Sequence, residues 1–206
     1  MKKVLVLTYL SVFFSILCFN SAASAQQRQQ RETFTGTVLS YGTGLDTRTR
    51  TSTFTLNIEN QTSDQEARRL LGVLQESGQD DLLKSIRNED LGRFSVGANV
   101  GRGLNFVHET TVDGRRRIFA VFERWTQFAE LRGGYRSLDY PFGVVELYID
   151  PNTGKGEGTY IAAAKIRWTT DRKTQQSQVE IENFATYPAR LMGVVQRGNG
   201  RGNRGR

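Results

Sequence analysis

Apolar and polar residues alternate along most of the chain, and a period of two predicts half-buried β-strands. In segment 34–41 Phe34, Gly36 and Val38 alternate with threonines, and segment 51–59 alternates in the same way. Six later segments carry strand signals: 91–100, 104–112, 115–124, 141–150, 156–170 and 176–187. Short links join nearly all of them, so we expect an antiparallel meander of about eight strands.

One stretch breaks the alternation and predicts a helical insertion after the second strand, at about 63–87. Ser63 and Glu66 have the spacing of a capping box, and Gly78 can end a helix in a left-handed conformation. Between these signals the apolar residues recur with helical spacing: Ala67, Leu70, Leu71 and Leu74. A shorter helical turn at 82–86 follows, so the insertion is interpreted as a helical hairpin.

The dipeptide Asp113-Gly114 predicts a two-residue hairpin turn, which fixes the residues that face one another. Counting outward from the turn gives three facing pairs on one side: Leu104 with Glu123, Phe106 with Val121, and His108 with Phe119. The opposite side is also apolar, so both faces need cover, and the amphipathic helix near Leu70 is the candidate for the outer face. The fold class is therefore mainly β. We expect a small antiparallel barrel or a strongly bent sandwich with the helical hairpin packed on it.

The start of the chain has the three parts of a secretory signal peptide. Two lysines precede an apolar run at 4–19, and small residues at 23–25 supply a cleavage point before Gln26. We therefore exclude 1–25 from the fold and expect the protein to be exported, to the periplasm or outside the cell. Cys18, the single cysteine, lies in that run, so the mature chain has no thiol for a disulfide, a nucleophile or a cysteine metal site.

Removing 25 of 206 residues leaves 181, which suits one domain at 33–196 between a flexible segment 26–32 and a tail 197–206. The formal net charge of +7 is concentrated at the ends of the chain, and residues 33–196 sum to about zero. The domain therefore has no basic excess for a phosphate backbone. The Arg/Gly/Asn tail is expected to be disordered, and its arginines are the candidate polyanion-binding residues: Arg197, Arg201, Arg204 and Arg206.

Candidate chemistry is sparse. His108 is the only histidine, so any mechanism that needs an imidazole must use it, and a site built from several histidines is excluded. The predicted hairpin face combines rings with a few polar groups, which is typical of a wall that orients a ligand. The candidate ligand-binding residues are His108, Arg117, Phe119 and Glu123. No catalytic residue, metal ligand or cofactor is predicted.

Two other motifs are interpreted as structural. Segment 151–158 follows Asp150 and joins two predicted strands, so it is a hairpin turn rather than a phosphate or calcium loop. Basic residues beside aromatic ones, as in Arg124-Trp125, could stack on sugars or nucleotides. Within neutral strands they are more often arginines whose stems cover core rings.

Three functions remain open at this point. We expect an exported binding protein whose barrel holds a small, largely apolar ligand, rather than an enzyme. The alternative is a surface or polyanion-binding adaptor that acts through the tail, extended by the basic run 115–117. The third is an enzyme that uses two carboxylates, which requires two glutamates to meet in a cleft.

Overall fold

The computed structural model describes residues 31–42, 48–126, 128–133, 136–170, 177–184 and 187–197. The strands in these ranges are β1 (Glu32–Ser40), β2 (Arg50–Ile58), β3 (Gly92–Val96), β4 (Arg102–Gly103), β5 (Phe106–Val112), β6 (Arg115–Glu123), β7 (Phe142–Ile149), β8 (Lys155–Thr170), β9 (Ser177–Asn183) and β10 (Ala189–Arg197). The helices are α1 (Asp64–Ser77), α2 (Gln79–Ile86), α3 (Phe128–Gly133) and the 3₁₀ helix Arg136–Asp139. The predicted signal peptide and residues 198–206 of the predicted tail lie outside the described ranges.

All of these strands belong to one antiparallel sheet, which confirms the mainly β fold. Its order is β4-β3-β2-β1-β10-β8-β7-β6-β5, and β9 pairs with β8 beside this path. The sheet therefore consists of two meanders, β1 to β4 and β5 to β8, which are joined by β10. The expected antiparallel meander of about eight strands is confirmed, and the sheet contains two further strands, β4 and β10, which the sequence pattern did not predict. Strand β4 has only two residues, which is too short for a periodic signal.

Strand β10 was missed for a different reason. Its buried residues Leu191 and Val194 are three positions apart, which a regular strand does not allow on one face. The pairing register with β8 shifts between these two residues, and Gly193 there has a φ of +58°. A β-bulge therefore breaks the period-two pattern in the strand that joins the two meanders.

The sheet is strongly bent, and among the described strands β4 and β5 form its two ends. Phe94 of β3 stacks on Phe122 of β6 with ring centroids 5.9 Å apart, although these strands lie near opposite ends of the sheet. The space enclosed by the bend is a core of buried side chains: Phe34, Val38, Phe54, Leu56, Ile58, Leu91, Phe94, Leu104, Val107, Ile118, Ala120, Phe122, Val145, Leu147, Ile149, Leu191 and Val194. Of the two expected architectures, the bent sandwich is the one found. Side chains fill its interior.

The helical hairpin covers the outer face of the sheet, as expected. The Glu66 N–H donates to Ser63 Oγ over 3.2 Å, which caps α1, and Gly78 separates the two helices with a φ of +81°. The predicted capping box is only half formed, because the Glu66 carboxylate binds Arg69 instead of the Ser63 N–H. The apolar faces of the helices form a second core with the sheet: Leu70, Leu74, Leu82, Leu83, Ile86, Val121, Phe142, Val144, Ala164 and Ile166.

No helix in the described ranges combines the length and the apolar character needed to cross a membrane.

Candidate ligand-binding site

The hairpin between β5 and β6 has the register that the sequence predicts over most of its length. Asp113 and Gly114 have φ values of 49° and 73°, as a two-residue turn with two positive φ angles requires. The facing pairs on the outer side are Phe106 with Val121, His108 with Phe119, and Thr110 with Arg117. The outer face of this hairpin therefore carries the side chains that the sequence predicts for it.

The predicted pair of Leu104 with Glu123 is wrong. Strand β5 begins at Phe106, and Leu104 is fully buried in the interior core. Asn105 is the cause, because its side-chain oxygen accepts a hydrogen bond from the Glu123 N–H at 2.8 Å in place of a ladder bond between backbones. The side-chain amide of Asn105 also donates to the backbone of the segment after α2. These bonds end the alternation that the prediction extended.

A cavity of about 300 Å³ lies between the helical hairpin and the outer faces of β5, β6, β8 and β9. We call it the helix–sheet cavity. Most of its wall is apolar: Ala67, Leu70, Leu71, Leu74, Leu82, Ile86, Phe106, Phe119, Val121, Ile166, Val179 and Ile181. The polar lining residues are His108, Thr110 and Arg117.

Polarity changes along the length of the hairpin. The pair Phe106–Val121 is apolar, the next outer-face pair contains His108, and the pair nearest the turn is Thr110 with Arg117. Successive outer-face pairs are about 6.8 Å apart, since a strand rises about 3.4 Å per residue. The cavity wall therefore has an apolar end and a polar end.

His108 occupies the middle of this wall and contacts the helix that covers it. Its Nε2 atom lies 2.9 Å from Oδ1 of Asp64, the first residue of α1. The hydrogen bond with His108 is the main cause that lowers the pKa of the Asp64 carboxyl. The ring centroid of His108 is 6.1 Å from that of Phe106. The imidazole is thus both a wall residue and a link between sheet and helix.

Arg117 supplies the charge at the polar end. Its Nε atom donates to Glu146 Oε1 over 2.6 Å, and the Tyr148 hydroxyl donates to the same oxygen over 3.1 Å. The guanidinium carbon of Arg117 lies 5.4 Å from the ring centroid of Phe119. An arginine has five N–H donors, so this ion pair leaves donors for a ligand while Glu146 balances the charge.

The cavity brings together three of the four predicted ligand-binding residues, namely His108, Arg117 and Phe119. Glu123 is not among its lining residues, since its carboxylate accepts two hydrogen bonds from Arg87 at 2.9 and 3.0 Å. The remaining wall comes from the helices and from β8 and β9. Their apolar faces are visible in the sequence, but their meeting with this hairpin depends on tertiary packing.

A second cleft, of about 550 Å³, lies at the other end of β6. Its lining residues are Arg102, Gly103, Asn105, Glu123, Arg124, Trp125 and Thr126. Arg124 is structural here, because it binds Glu130 at 2.7 Å and the Tyr140 carbonyl at 2.6 Å. Trp125 is 74% exposed, so the interpretation of Arg124-Trp125 as an arginine beside a core ring was wrong for the tryptophan.

The predicted polyanion-binding surface gains no support from Arg116. This residue is partly buried in ion pairs with Glu32 at 3.0 Å and Glu109 at 2.7 Å, so it does not form an exposed basic patch. Arg197 is the last residue of β10 and faces Thr33. Arg201, Arg204 and Arg206 lie outside the described ranges.

Paired carboxylates do occur, but they share a cation. Arg116 holds Glu32 and Glu109 together, and its hydrogen bond is the main cause that lowers the pKa of Glu109. A carboxyl with a lowered pKa is ionised at neutral pH and is a poor proton donor. Across the described ranges no cluster of three or more His, Cys, Asp or Glu side chains could hold a metal ion.

Segment 151–158 forms the predicted turn between β7 and β8. The Asp150 carboxylate accepts a hydrogen bond from the Asn152 N–H at 2.8 Å, and Gly154 has a φ of +64°. Asp150 therefore stabilises the turn itself.

No protein family model, no curated protein and no solved structure matches this chain. The function of the protein is therefore inferred from the geometry of its two clefts.

Proposed function

We propose that the protein is an exported, non-catalytic binding protein that holds a small, largely apolar ligand in the helix–sheet cavity. The observation that carries this proposal is the distribution of polar residues in the cavity wall. The polar lining residues His108, Thr110 and Arg117 all lie on the β5–β6 hairpin, and the other lining residues are apolar. Ligand sites have this character, with a mostly apolar wall and a few polar groups that orient the ligand. A volume of about 300 Å³ suits a small ligand.

Packing energetics support the same proposal. Apolar space that is left unfilled inside a protein costs stability, because the lining atoms lose dispersion contacts. By contrast, the interior core of the sheet is occupied by buried side chains, several of them large and aromatic. An apolar ligand that enters the helix–sheet cavity would recover those contacts and stabilise the folded state by binding to it.

The polar end determines the kind of polar group that the ligand should carry. Arg117 offers N–H donors, but its charge is balanced by Glu146 at 2.6 Å. Adding an anion would place a second negative charge beside Glu146, whereas a neutral oxygen accepts a hydrogen bond without that repulsion. We therefore infer an uncharged amphiphile, such as an alcohol, a ketone or an ester, with its oxygen near Thr110 and its apolar part near Phe106.

Displacement of a fluorescent probe tests this function. The chain beginning at Gln26 is stripped of bound molecules and titrated with the uncharged dye N-phenyl-1-naphthylamine, which is then displaced by 1-decanol, decanoate or decyltrimethylammonium. We expect 1-decanol to displace the dye at lower concentration than either ion. Native mass spectrometry of the unstripped protein should show an uncharged co-purifying molecule.

Replacing each of two alanines by leucine locates the binding site. Ala67 lines the cavity, so Ala67→Leu should fill it and weaken dye binding about tenfold or more. Ala162 is exposed on β8 and is not a lining residue, so Ala162→Leu is the matched control and should bind as the parent does. If Ala67→Leu binds the dye and 1-decanol with parental affinity, the helix–sheet cavity is not the site.

A further inference from the structure

The second cleft contains a cation, Arg102, that has no counter-ion among the described residues. The guanidinium carbon of Arg102 lies 3.6 Å from the ring centroid of Trp125. Among the described residues Arg102 forms no hydrogen bond or ion pair, and burial is the main cause that lowers its pKa. An arginine remains protonated despite such a shift. The cleft therefore holds a partly desolvated positive charge, which an anion bound beside it would stabilise.

Three other polar side chains of this cleft already form bonds within the protein. The Glu123 carboxylate accepts hydrogen bonds from Nε and Nη2 of Arg87, and the Asn105 side chain bonds the backbone through its nitrogen and its oxygen. Arg124 is held by a carboxylate and by three backbone carbonyls. Among the charged lining side chains in the described part of the chain, Arg102 is thus the one whose donors are available for a ligand.

Trp125 gives the cleft a second recognition element. Its side chain is 74% exposed, although indole is among the more costly side chains to leave in water. The guanidinium of Arg102 lies over the indole ring and donates no hydrogen bond to a described residue, so its N–H groups remain available to a ligand in the cleft. An aromatic or sugar ring that lies on the exposed indole surface can therefore place an acid group beside these donors.

We propose that Arg102 and Trp125 form a binding subsite for a ring-bearing organic anion, whose acid group accepts hydrogen bonds from Arg102 while its ring contacts Trp125. The planar guanidinium suits the oxygens of both carboxylates and phosphates. This subsite is separate from the helix–sheet cavity, because the two clefts share no lining residue. It therefore stands independently of the function proposed above.

Titrations monitored by the indole N–H signals of the two tryptophans test the proposal. Phenyl phosphate and benzoate carry both parts of the ligand chemistry, while inorganic phosphate and phenol each carry one part. We expect a saturable shift of the Trp125 indole signal with phenyl phosphate, benzoate or both. Trp168 packs against the second core, between the helices and the sheet, so its signal should stay unchanged. Inorganic phosphate and phenol should bind about tenfold or more weakly.

Variants assign the binding to the two residues. Arg102→Gln should weaken phenyl phosphate binding about tenfold or more, the scale of a lost charge-assisted hydrogen bond. The matched control is Arg115→Gln, because Arg115 also lies over a ring, that of Tyr148 at 5.1 Å, but has Glu157 as its counter-ion at 3.5 Å. Arg115→Gln should bind as the parent does.

Three outcomes would overturn the proposal: no saturable shift with either ring-bearing anion, parental affinity in Arg102→Gln, or equal affinity for phenyl phosphate and inorganic phosphate. If Arg102→Gln does not fold, Trp125→Leu decides, since this exposed side chain is not needed for the core. Binding to Trp125→Leu is followed through the ligand's own proton signals. Loss of ligand binding in Trp125→Leu supports the proposed subsite, and retained binding contradicts it.

Discussion

The Nε2 atom of His108 and the Oδ1 atom of Asp64 lie 2.9 Å apart, which links a wall residue of the helix–sheet cavity to the first turn of the helix that covers it. The carboxylate is exposed and the imidazole is mostly shielded, with side-chain exposures of 78% and 22%. Breaking this contact should therefore loosen the helical hairpin locally without unfolding the sheet.

A double-mutant cycle on this contact should depend on pH. The lowered pKa of Asp64 means that its stabilising contribution is present above the pKa of the unfolded carboxyl and is lost as pH falls through the folded value. We expect thermal unfolding to show coupling between His108→Phe and Asp64→Asn at pH 6, and weaker coupling in strong acid, where the Asp64 carboxyl becomes protonated. Coupling of equal size at both pH values would show that the ion pair is not its source.

Thr110 should select for the ligand's oxygen. Thr110→Val preserves shape but removes a hydroxyl at the polar end of the helix–sheet cavity. The affinity for 1-decanol should fall about threefold to tenfold, since a hydrogen bond contributes about 0.5–1.5 kcal/mol, while that for N-phenyl-1-naphthylamine should change little. Displacement titrations measure both. Equal losses for the two molecules would mean that the substitution disturbed the cavity rather than a polar contact.

Arg116 should stabilise the fold mainly above pH 5. Arg116→Met leaves Glu32 and Glu109 without their shared cation, and all three side chains are partly buried. We expect a loss of about 2 kcal/mol at pH 7, between the values for exposed and buried ion pairs.

This loss should shrink in acid. Arg116 lowers the pKa of Glu109, so the contribution of that carboxylate is present above its unfolded pKa of about 4.3 and disappears as pH falls through the lower folded value. Urea unfolding at pH 7 and pH 3 measures the difference, with Arg115→Gln as a more exposed control. A loss that does not vary with pH would assign the effect to packing of the arginine stem.

Alanine substitutions at two glycines should change the stability of the fold in opposite directions. A Cβ atom at Gly143 would lie 2.1 Å from the ring of Phe122, a buried core residue, so Gly143→Ala should destabilise by roughly 1–3 kcal/mol. Gly72 lies within α1 with no atom near its Cβ position, so Gly72→Ala should stabilise by about 0.5–1 kcal/mol. Thermal unfolding of the two variants checks both signs. Similar behaviour of the two would mean that helix propensity and close packing do not decide these positions.

Local signals in the sequence predicted much of this structure. The turn Asp113-Gly114 set the register that brings His108 and Phe119 together, because a two-residue turn leaves one pairing. Ser63 and Gly78 delimited α1, since capping and positive φ act within a few residues. These signals depend on neighbours along the chain, which the sequence displays directly.

Features that depend on distant contacts were not predictable in this way. The bulge near Gly193 hid β10, and Asn105 ended the hairpin register by bonding segments far away in the chain. The cavity was expected inside a barrel, but the bend brings Phe94 against Phe122 and fills that space. Likewise, Arg102 and Trp125 are 23 positions apart in the sequence, and nothing in either segment indicates that their side chains stack.

The bulge in β10 also bears on how this protein could change over evolutionary time. Strands β5 and β6 direct alternate residues to two different tasks, with Val107 and Ala120 in the interior core and their neighbours His108 and Phe119 on the helix–sheet cavity. The irregularity of β10 lies away from this hairpin, with β8 and β7 between β10 and β6, and the two-residue alternation continues undisturbed along β5 and β6. Lineages could therefore exchange outward-facing residues and drift between ligands while selection on the inward-facing ones keeps the fold intact.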